Sequence, residues 1–141
     1  MSSSATVSAV EQLQFGTAGQ SVTLASGQIG AGGPIQTVTG TGDPNTLIVE
    51  GAAIDLSAVT FTTWSNTLDT IELQGSAGDD THAGSSQADR FIISIGVDTL
   101  TGGQGNDRFA ITESIFSLDL ENVTIDGGAG TPRPATRRDP P

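Results

Sequence analysis

The chain has 141 residues, 16 acidic and 5 basic side chains, no cysteine and a formal net charge of −11. This length allows one ordinary domain and excludes a large multi-domain enzyme, although not a fragment of one. Only two arginines occur up to Gly130, and this excess of acids excludes nucleic acid as a partner and favours cations, because phosphate contacts require basic side chains.

Short runs of alternating β-branched and polar residues follow one another along the chain, and they lack a helical period. They predict strands at 20–24, 36–39, 46–49, 60–63, 70–73 and 122–125. The glycine-rich segment 27–34 predicts a flexible loop or linker. We therefore predict an all-β fold. Residues 1–45 form a β-rich or flexible lead-in or cap, residues 46–130 form the main unit, and residues 131–141 form a disordered tail rich in proline and arginine.

Four nine-residue repeats begin at Gly75, and they read GSAGDDTHA, GSSQADRFI, ISIGVDTLT and GGQGNDRFA. The sixth place is always aspartate: Asp80, Asp89, Asp98 and Asp107. The eighth place is large and predicts a core position: His82, Phe91, Leu100 and Phe109. The frame is lost after residue 110 and resumes at 127–130 as GGAG. Glycines permit tight turns that point several carbonyl oxygens to one side, and Ca²⁺ prefers carbonyl and carboxylate oxygens.

Residues 102–110 match the pattern G-G-x-G-x-D-x-U-x at every defined place, where U is large and apolar. Residues 75–110, and partly 127–130, therefore resemble the hemolysin-type calcium-binding repeats of RTX proteins. The resemblance implies a right-handed parallel β-roll or β-helix solenoid in which loops two repeats apart stack and hold Ca²⁺. It implies metal sites between Asp80 and Asp98 and between Asp89 and Asp107. The backbone carbonyl ligands would lie around Gly75, Gly78, Gly84, Gly96, Gly102, Gly103 and Gly105.

Departures from this pattern predict two sites, weaker than those of the family, rather than a long array. At the second place of the repeat, Ser76 and Ser85 replace glycine. Gln87 replaces the glycine of the fourth place, and Ile93 replaces the glycine of the first place. A third pairing beyond Asp98 would need an aspartate near position 116, where the chain has phenylalanine.

Catalysis is not expected, because the chain lacks a zinc-protease, serine-hydrolase or nucleotide-binding motif, and its single histidine has no matching nucleophile. No apolar run is long enough to span a membrane, and the N-terminal sequence does not resemble a cleaved secretory signal. The C-terminal sequence suggests a truncation or junction.

The resemblance implies calcium binding coupled to folding of a secreted or cell-surface structural or adhesive module. Export would be of type I, without a cleaved N-terminal signal. Two alternatives stay open. One is a non-catalytic accessory domain of a secreted protease or polysaccharide-modifying enzyme, and the other is a metal-independent solenoid for protein interaction. Besides calcium, the expected partners are surface proteins or polysaccharide, and the oligomeric state is not indicated.

Overall fold

A computed structural model describes residues 11–93, 95–111 and 123–130. Within these ranges the chain forms short β-strands and two three-residue 3-10 helices, Ser26–Gln28 and Gly30–Gly32, which confirms the all-β prediction. The strands are β1 (Gln12–Gln14), β2 (Ser21–Ala25), β3 (Thr37–Thr39), β4 (Thr46–Glu50), β5 (Ala53–Asp55), β6 (Thr60–Thr62), β7 (Thr70–Gln74), β8 (Thr81–Ala83), β9 (Asp89–Ile93), β10 (Thr99–Thr101), β11 (Arg108–Ile111) and β12 (Thr124–Asp126). Over the same ranges, the chain offers no helix with the length and apolar character needed to cross a bilayer.

The strands form three parallel sheets. The strand orders are β1-β3-β6, β2-β4-β7-β9-β11 and β5-β8-β10-β12. Within each described range, consecutive strands lie in different sheets, because a parallel neighbour can be reached only by a crossover. Strands from the predicted lead-in, β2 and β3, pair with β4 and β6 of the predicted main unit.

The interval between paired strands shortens where the nonapeptides begin. Before them, Ser21 pairs with Thr46, and Thr46 pairs with Thr70. Within them, Arg90 pairs with Arg108, so the interval equals two nonapeptides. Among the described strands, the three-stranded sheet ends at β6, and the intervals from β7 to β11 contain strands of only the two larger sheets. The register of two nonapeptides per interval is the one that the repeats predict, and it is confirmed.

A continuous column of apolar side chains runs through the five-stranded sheet. Its members are paired in register from strand to strand: Leu24, Val49, Leu73, Phe91 and Phe109. All five are buried, and the rings of Phe91 and Phe109 stack with centroids 4.6 Å apart. Alternation along each strand buries this column and leaves the intervening residues nearer the surface. The core positions predicted from the eighth place of the repeats are confirmed.

The glycine-rich segment 27–34 differs from the predicted loop. The two 3-10 helices cover most of residues 26–32, and a parallel bridge joins Ile29 to Ile35. Both isoleucines are buried, so the hydrophobic core holds this segment against the sheets. Strands β1 and β5 were not predicted. The predicted tail at 131–141 lies outside the described residues.

Candidate metal centre

The four repeat aspartates are buried at the ends of their loops. Asp80, Asp98 and Asp107 directly precede β8, β10 and β11, and Asp89 is the first residue of β9. Their relative exposures lie between 0% and 2%. Aspartate is almost never buried to this extent without a partner, so the environment of each carboxylate requires an explanation.

The aspartates contact one another in pairs that are two repeats apart. The backbone N–H of Asp80 donates to Oδ1 of Asp98 at 2.9 Å. The N–H of Asp89 donates to Oδ1 of Asp107 at 3.0 Å. These are the two pairs expected from the repeat, and the structure brings each together with the predicted register.

Within each pair, the first aspartate also closes its own loop. The backbone N–H of Ser76 donates to Asp80 at 3.0 Å, and the Ser76 hydroxyl donates to it at 2.8 Å. Ser85 does the same for Asp89, with distances of 2.7 Å from N–H and 3.1 Å from the hydroxyl. The hydroxyls of the serines that replace glycine at the second place therefore supply a donor that glycine lacks.

The second aspartate of each pair has one oxygen without a donor. Asp98 Oδ2 and Asp107 Oδ2 are buried, and neither accepts a hydrogen bond within the described part of the chain. A buried carboxylate oxygen that lacks a partner carries its full desolvation penalty. Each pair therefore presents an uncompensated acceptor next to a second carboxylate.

Burial also raises the pKa values of the Asp89–Asp107 pair. Loss of water raises the pKa of Asp89 to about 8; hydrogen bonds from Ser85 oppose this rise, and the charge of Asp107 adds to it. Loss of water likewise raises the pKa of Asp107 to about 6 against the opposing hydrogen bond from Asp89. Both carboxyls thus favour a compensating positive charge, either a proton or a cation.

The glycines of these loops allow successive turns to lie in close contact. Gly96 has φ +151°, and a Cβ placed there would overlap the carbonyl oxygen of Gly78. Gly105 has φ +112°, and a Cβ there would overlap the carbonyl oxygen of Gln87. Carbonyl oxygens of one turn therefore lie against the glycines of the next. The seven glycines predicted to surround the sites all lie in the four stacked loops: Gly75, Gly78, Gly84, Gly96, Gly102, Gly103 and Gly105.

These loops supply only part of a cation's coordination through side chains. No group of three or more histidine, cysteine, aspartate or glutamate side chains suited to a metal is found in the described ranges. Each pair contributes two carboxylates, and the remaining ligands of a six- to eight-coordinate Ca²⁺ would be backbone carbonyls. The buried oxygens of Asp98 and Asp107 that lack donors fit such an ion.

Beyond β10, the register between paired strands differs from the one that the nine-residue repeat predicts. Thr99 pairs with Thr124, and the Thr124 N–H donates to the carbonyl oxygen of Asp98 at 2.8 Å. Val123 is therefore the residue in register with Asp98 on the next turn. The nine-residue repeat had predicted that this residue would be near position 116, which lies outside the described residues. The interval widens because the segment between β11 and β12 is longer than one repeat. The repeat motif at 127–130 follows the same widened step, since the N–H of Ala129 donates to the carbonyl oxygen of Gly103 at 2.7 Å.

Asp69 is a similar carboxylate that the nonapeptide frame missed. It accepts the N–H of Ser65, four residues earlier, at 2.7 Å and the N–H of Asn45, on the preceding turn, at 2.8 Å. Both bonds reproduce those made by the repeat aspartates. In the frame Asp69 falls at the fourth place, because β7 pairs with β9 through Ile71 and Asp89. A short sequence pattern could have identified Asp69. It consists of an Asp or Asn, any residue and then an apolar residue, as in Asp69-Thr70-Ile71.

His82 lies in the core, as its place in the repeat predicts. It is paired in register between Ile54 and Leu100, and Nε2 is 2.9 Å from the carbonyl oxygen of Gly51. This position separates His82 from the solvent, at 1% exposure. Arg90 lies on the outer face and forms an ion pair with Glu72 at 3.2 Å.

Comparison of the chain with protein-family models, with curated proteins and with solved structures gives no match.

Proposed function

We propose that the two aspartate pairs bind Ca²⁺ and that binding orders the repeat turns. The observation that carries the proposal is the pair of buried, unpartnered oxygens, Asp98 Oδ2 and Asp107 Oδ2. A cation between stacked loops would compensate both, and the neighbouring carbonyls would complete its coordination. Ca²⁺ is favoured over Mg²⁺, which demands near-ideal octahedral geometry and retains its waters.

The proposed architecture is a right-handed parallel β-roll or β-helix. Parallel sheets whose consecutive strands change sheet within each described range support it, as does the register of two nonapeptides per interval. The continuous inward column from Leu24 to Phe109 supports a coil with a single core. In such a coil each turn contacts only its neighbours, so a cation between two turns acts directly on their packing.

The net negative charge of the chain links cation binding to folding. Up to Gly130 the chain has fifteen acidic side chains and two arginines, and their mutual repulsion opposes compaction. An ion that binds the folded loops and not the unfolded chain stabilises the folded state by mass action. We place this activity in a secreted or surface structural or adhesive module, exported by a type I route and folding where calcium is abundant. The same calcium-binding activity would also serve a non-catalytic accessory domain of a secreted enzyme.

A calcium titration tests the proposal. Protein treated with chelator is followed by far-UV circular dichroism as Ca²⁺ is added, with Mg²⁺ in parallel. We expect a cooperative gain of β signal with Ca²⁺ alone. The double variant Asp98→Asn/Asp107→Asn should lose the response, whereas Asp43→Asn, which removes an exposed carboxylate outside the repeats, should retain it.

The opposite result favours a second candidate function, a metal-independent interaction module. The specific observation on its side is Asp69, whose two oxygens accept backbone N–H groups beside a neutral Asn45. That turn closes without a second carboxylate. A spectrum that is fully β in chelator and unchanged by Ca²⁺ would refute calcium-coupled folding and leave the metal-independent module as the remaining candidate.

A further inference from the structure

Two side chains reach from one turn of the stack to the loop of the next turn and accept a backbone N–H there. Oδ1 of Asp79 accepts the N–H of Val97, eighteen residues later, at 2.9 Å. Oδ1 of Asn66 accepts the N–H of Ala88, twenty-two residues later, at 3.0 Å. Both N–H groups belong to the residue directly before a repeat aspartate. The two side chains therefore attach the loops that carry candidate ligands to the turns that precede them.

On the edge of the stack that carries Asp80 and Asp98, two consecutive residues attach the loop of Asp98 at two adjacent points. The side chain of Asp79 accepts the N–H of Val97, and the N–H of Asp80 donates to Oδ1 of Asp98 at 2.9 Å. The first bond holds the backbone directly before Asp98, and the second holds the carboxylate itself. The orientation in which Asp98 Oδ2 is buried without a donor in the described ranges therefore depends on both bonds.

Burial of apolar side chains contributes little to the order of the backbone before Asp98. Ile95 and Val97 are 60% and 53% exposed, although both are apolar. Gly96 lies between them, and glycine loses more conformational freedom on folding than any other residue. The hydrogen bond to Asp79 therefore restrains a segment that side-chain packing restrains only weakly.

Asp79 holds the loop without being grouped with the candidate ligands. Its side chain is exposed, whereas Asp80 and Asp98 are buried. In the described part of the chain, no three histidine, cysteine, aspartate or glutamate side chains form a group that could hold a metal ion. Asn66, which has the equivalent role on the edge that carries Asp89 and Asp107, is also exposed and has no charge. The two side chains share an oxygen that accepts a backbone N–H, so the hydrogen bond and not the charge is their common feature.

We infer that Asp79 and Asn66 are positioning residues for the two cation sites, Asp79 for the carboxylate of Asp98 and Asn66 for that of Asp89. This inference rests on the proposed calcium binding and adds the residues that hold its ligands in place. Asp79 occupies the fifth place of its repeat, which the pattern G-G-x-G-x-D-x-U-x leaves undefined. Removal of a partner that orients a metal ligand lowers metal affinity by about 10- to 100-fold. Because both hydrogen bonds are exposed, we expect the lower end of that range.

Calcium affinity, measured by isothermal titration calorimetry on the whole chain with each site isolated in turn, tests this assignment. Asp107→Asn leaves the site of Asp98, and Asp98→Asn leaves the site of Asp107. Adding Asp79→Ala should lower the affinity of the first chain about 10-fold and leave that of the second unchanged. Adding Asn66→Ala should reverse this pattern. A loss of equal size in both chains would show a general loss of stability and would overturn the inference.

The conservative variant Asp79→Asn separates the hydrogen bond from the charge. Its amide oxygen can still accept the N–H of Val97, and an exposed charge is screened by salt, so its calcium affinity should stay within about threefold of that of the unmodified chain. The control Asp43→Ala removes an exposed carboxylate outside the repeats and should change the affinity no more than this. If Asp79→Asn lowers the affinity as much as Asp79→Ala does, the charge and not the position of the loop is responsible, and the inference is wrong.

The outcomes separate this inference from the function on which it rests. If the unmodified chain binds Ca²⁺ and neither Asp79→Ala nor Asn66→Ala changes the affinity, the inference fails and calcium binding stands. If the unmodified chain binds no Ca²⁺, calcium binding fails and the inference fails with it.

Discussion

Replacing Asp107 by asparagine should stabilise the folded chain in the absence of calcium and reduce the stabilisation that calcium provides. The amide preserves an oxygen that can accept the N–H of Asp89, but it removes the charge from a side chain that is 1% exposed. Without an ion, the charged form of Asp107 is disfavoured in the folded state. We therefore expect Asp107→Asn to raise the free energy of unfolding in chelator and to reduce the gain from Ca²⁺.

The pKa of Asp107 sets the size and the sign of this effect. Burial raises it from 3.8 to about 6, and a folded-state pKa above the unfolded one means that stability present below pH 4 is lost as the pH rises through 6. At 1.36 kcal/mol per unit the shift corresponds to about 3 kcal/mol, and solvent screening at the loop reduces it. We expect the variant to be about 1–3 kcal/mol more stable than the unmodified chain in chelator at pH 7.5.

Urea unfolding followed by circular dichroism, in chelator and in Ca²⁺, measures both effects. At a calcium concentration 100 times the Kd, one site stabilises the folded chain by about 2.7 kcal/mol, and the variant should lose that gain at the Asp89–Asp107 pair. Asp43→Asn controls for the change in net charge. A variant that is less stable than the unmodified chain in chelator, or that gains as much from Ca²⁺, would refute the reasoning.

Three further results are expected. In chelator, the urea midpoint should decrease as the pH is raised from 4 to 8, because Asp89 and Asp107 ionise over this range. Saturating Ca²⁺ should reduce this decrease. A midpoint that increases over this range in chelator would contradict the raised pKa values. Phe91→Ala should lower the free energy of unfolding by about 3–5 kcal/mol in Ca²⁺, because the ring is fully buried against its neighbours, and a loss below about 1 kcal/mol would exclude the stacked column. Gly105→Ala should lower the melting temperature, while Gly27→Ala, whose Cβ would enter open space, should leave it unchanged; equal effects would show that the turns are not in close contact.

The nonapeptides made the fold of residues 75–111 predictable from the sequence. A strict period of nine with a large residue two places after each aspartate specifies a strand, its inward side chain and its neighbour two repeats away. The column through Phe91 and Phe109 and the pairing of Asp89 with Asp107 follow from that period. The two pairs could be predicted because both depend on spacing alone.

Features that depend on three-dimensional packing were not readable. The turns before Gly75 have longer and unequal intervals with no constant motif, so neither the third sheet nor the role of Asp69 could be derived. Ser76 and Ser85 were interpreted only as departures from the glycine pattern, an interpretation that considers the backbone and not the side chain. Only the position of the hydroxyl beside the carboxylate shows what Ser85 adds.

The register of two nonapeptides per interval determines which changes of length this segment can absorb during evolution. Duplication of two adjacent nonapeptides would add one strand to each of the two larger sheets and one aspartate to each stack. Insertion of a single nonapeptide would instead shift every following strand into the other sheet and exchange the two edges. Genes encoding this segment should therefore lengthen or shorten it in steps of two nonapeptides.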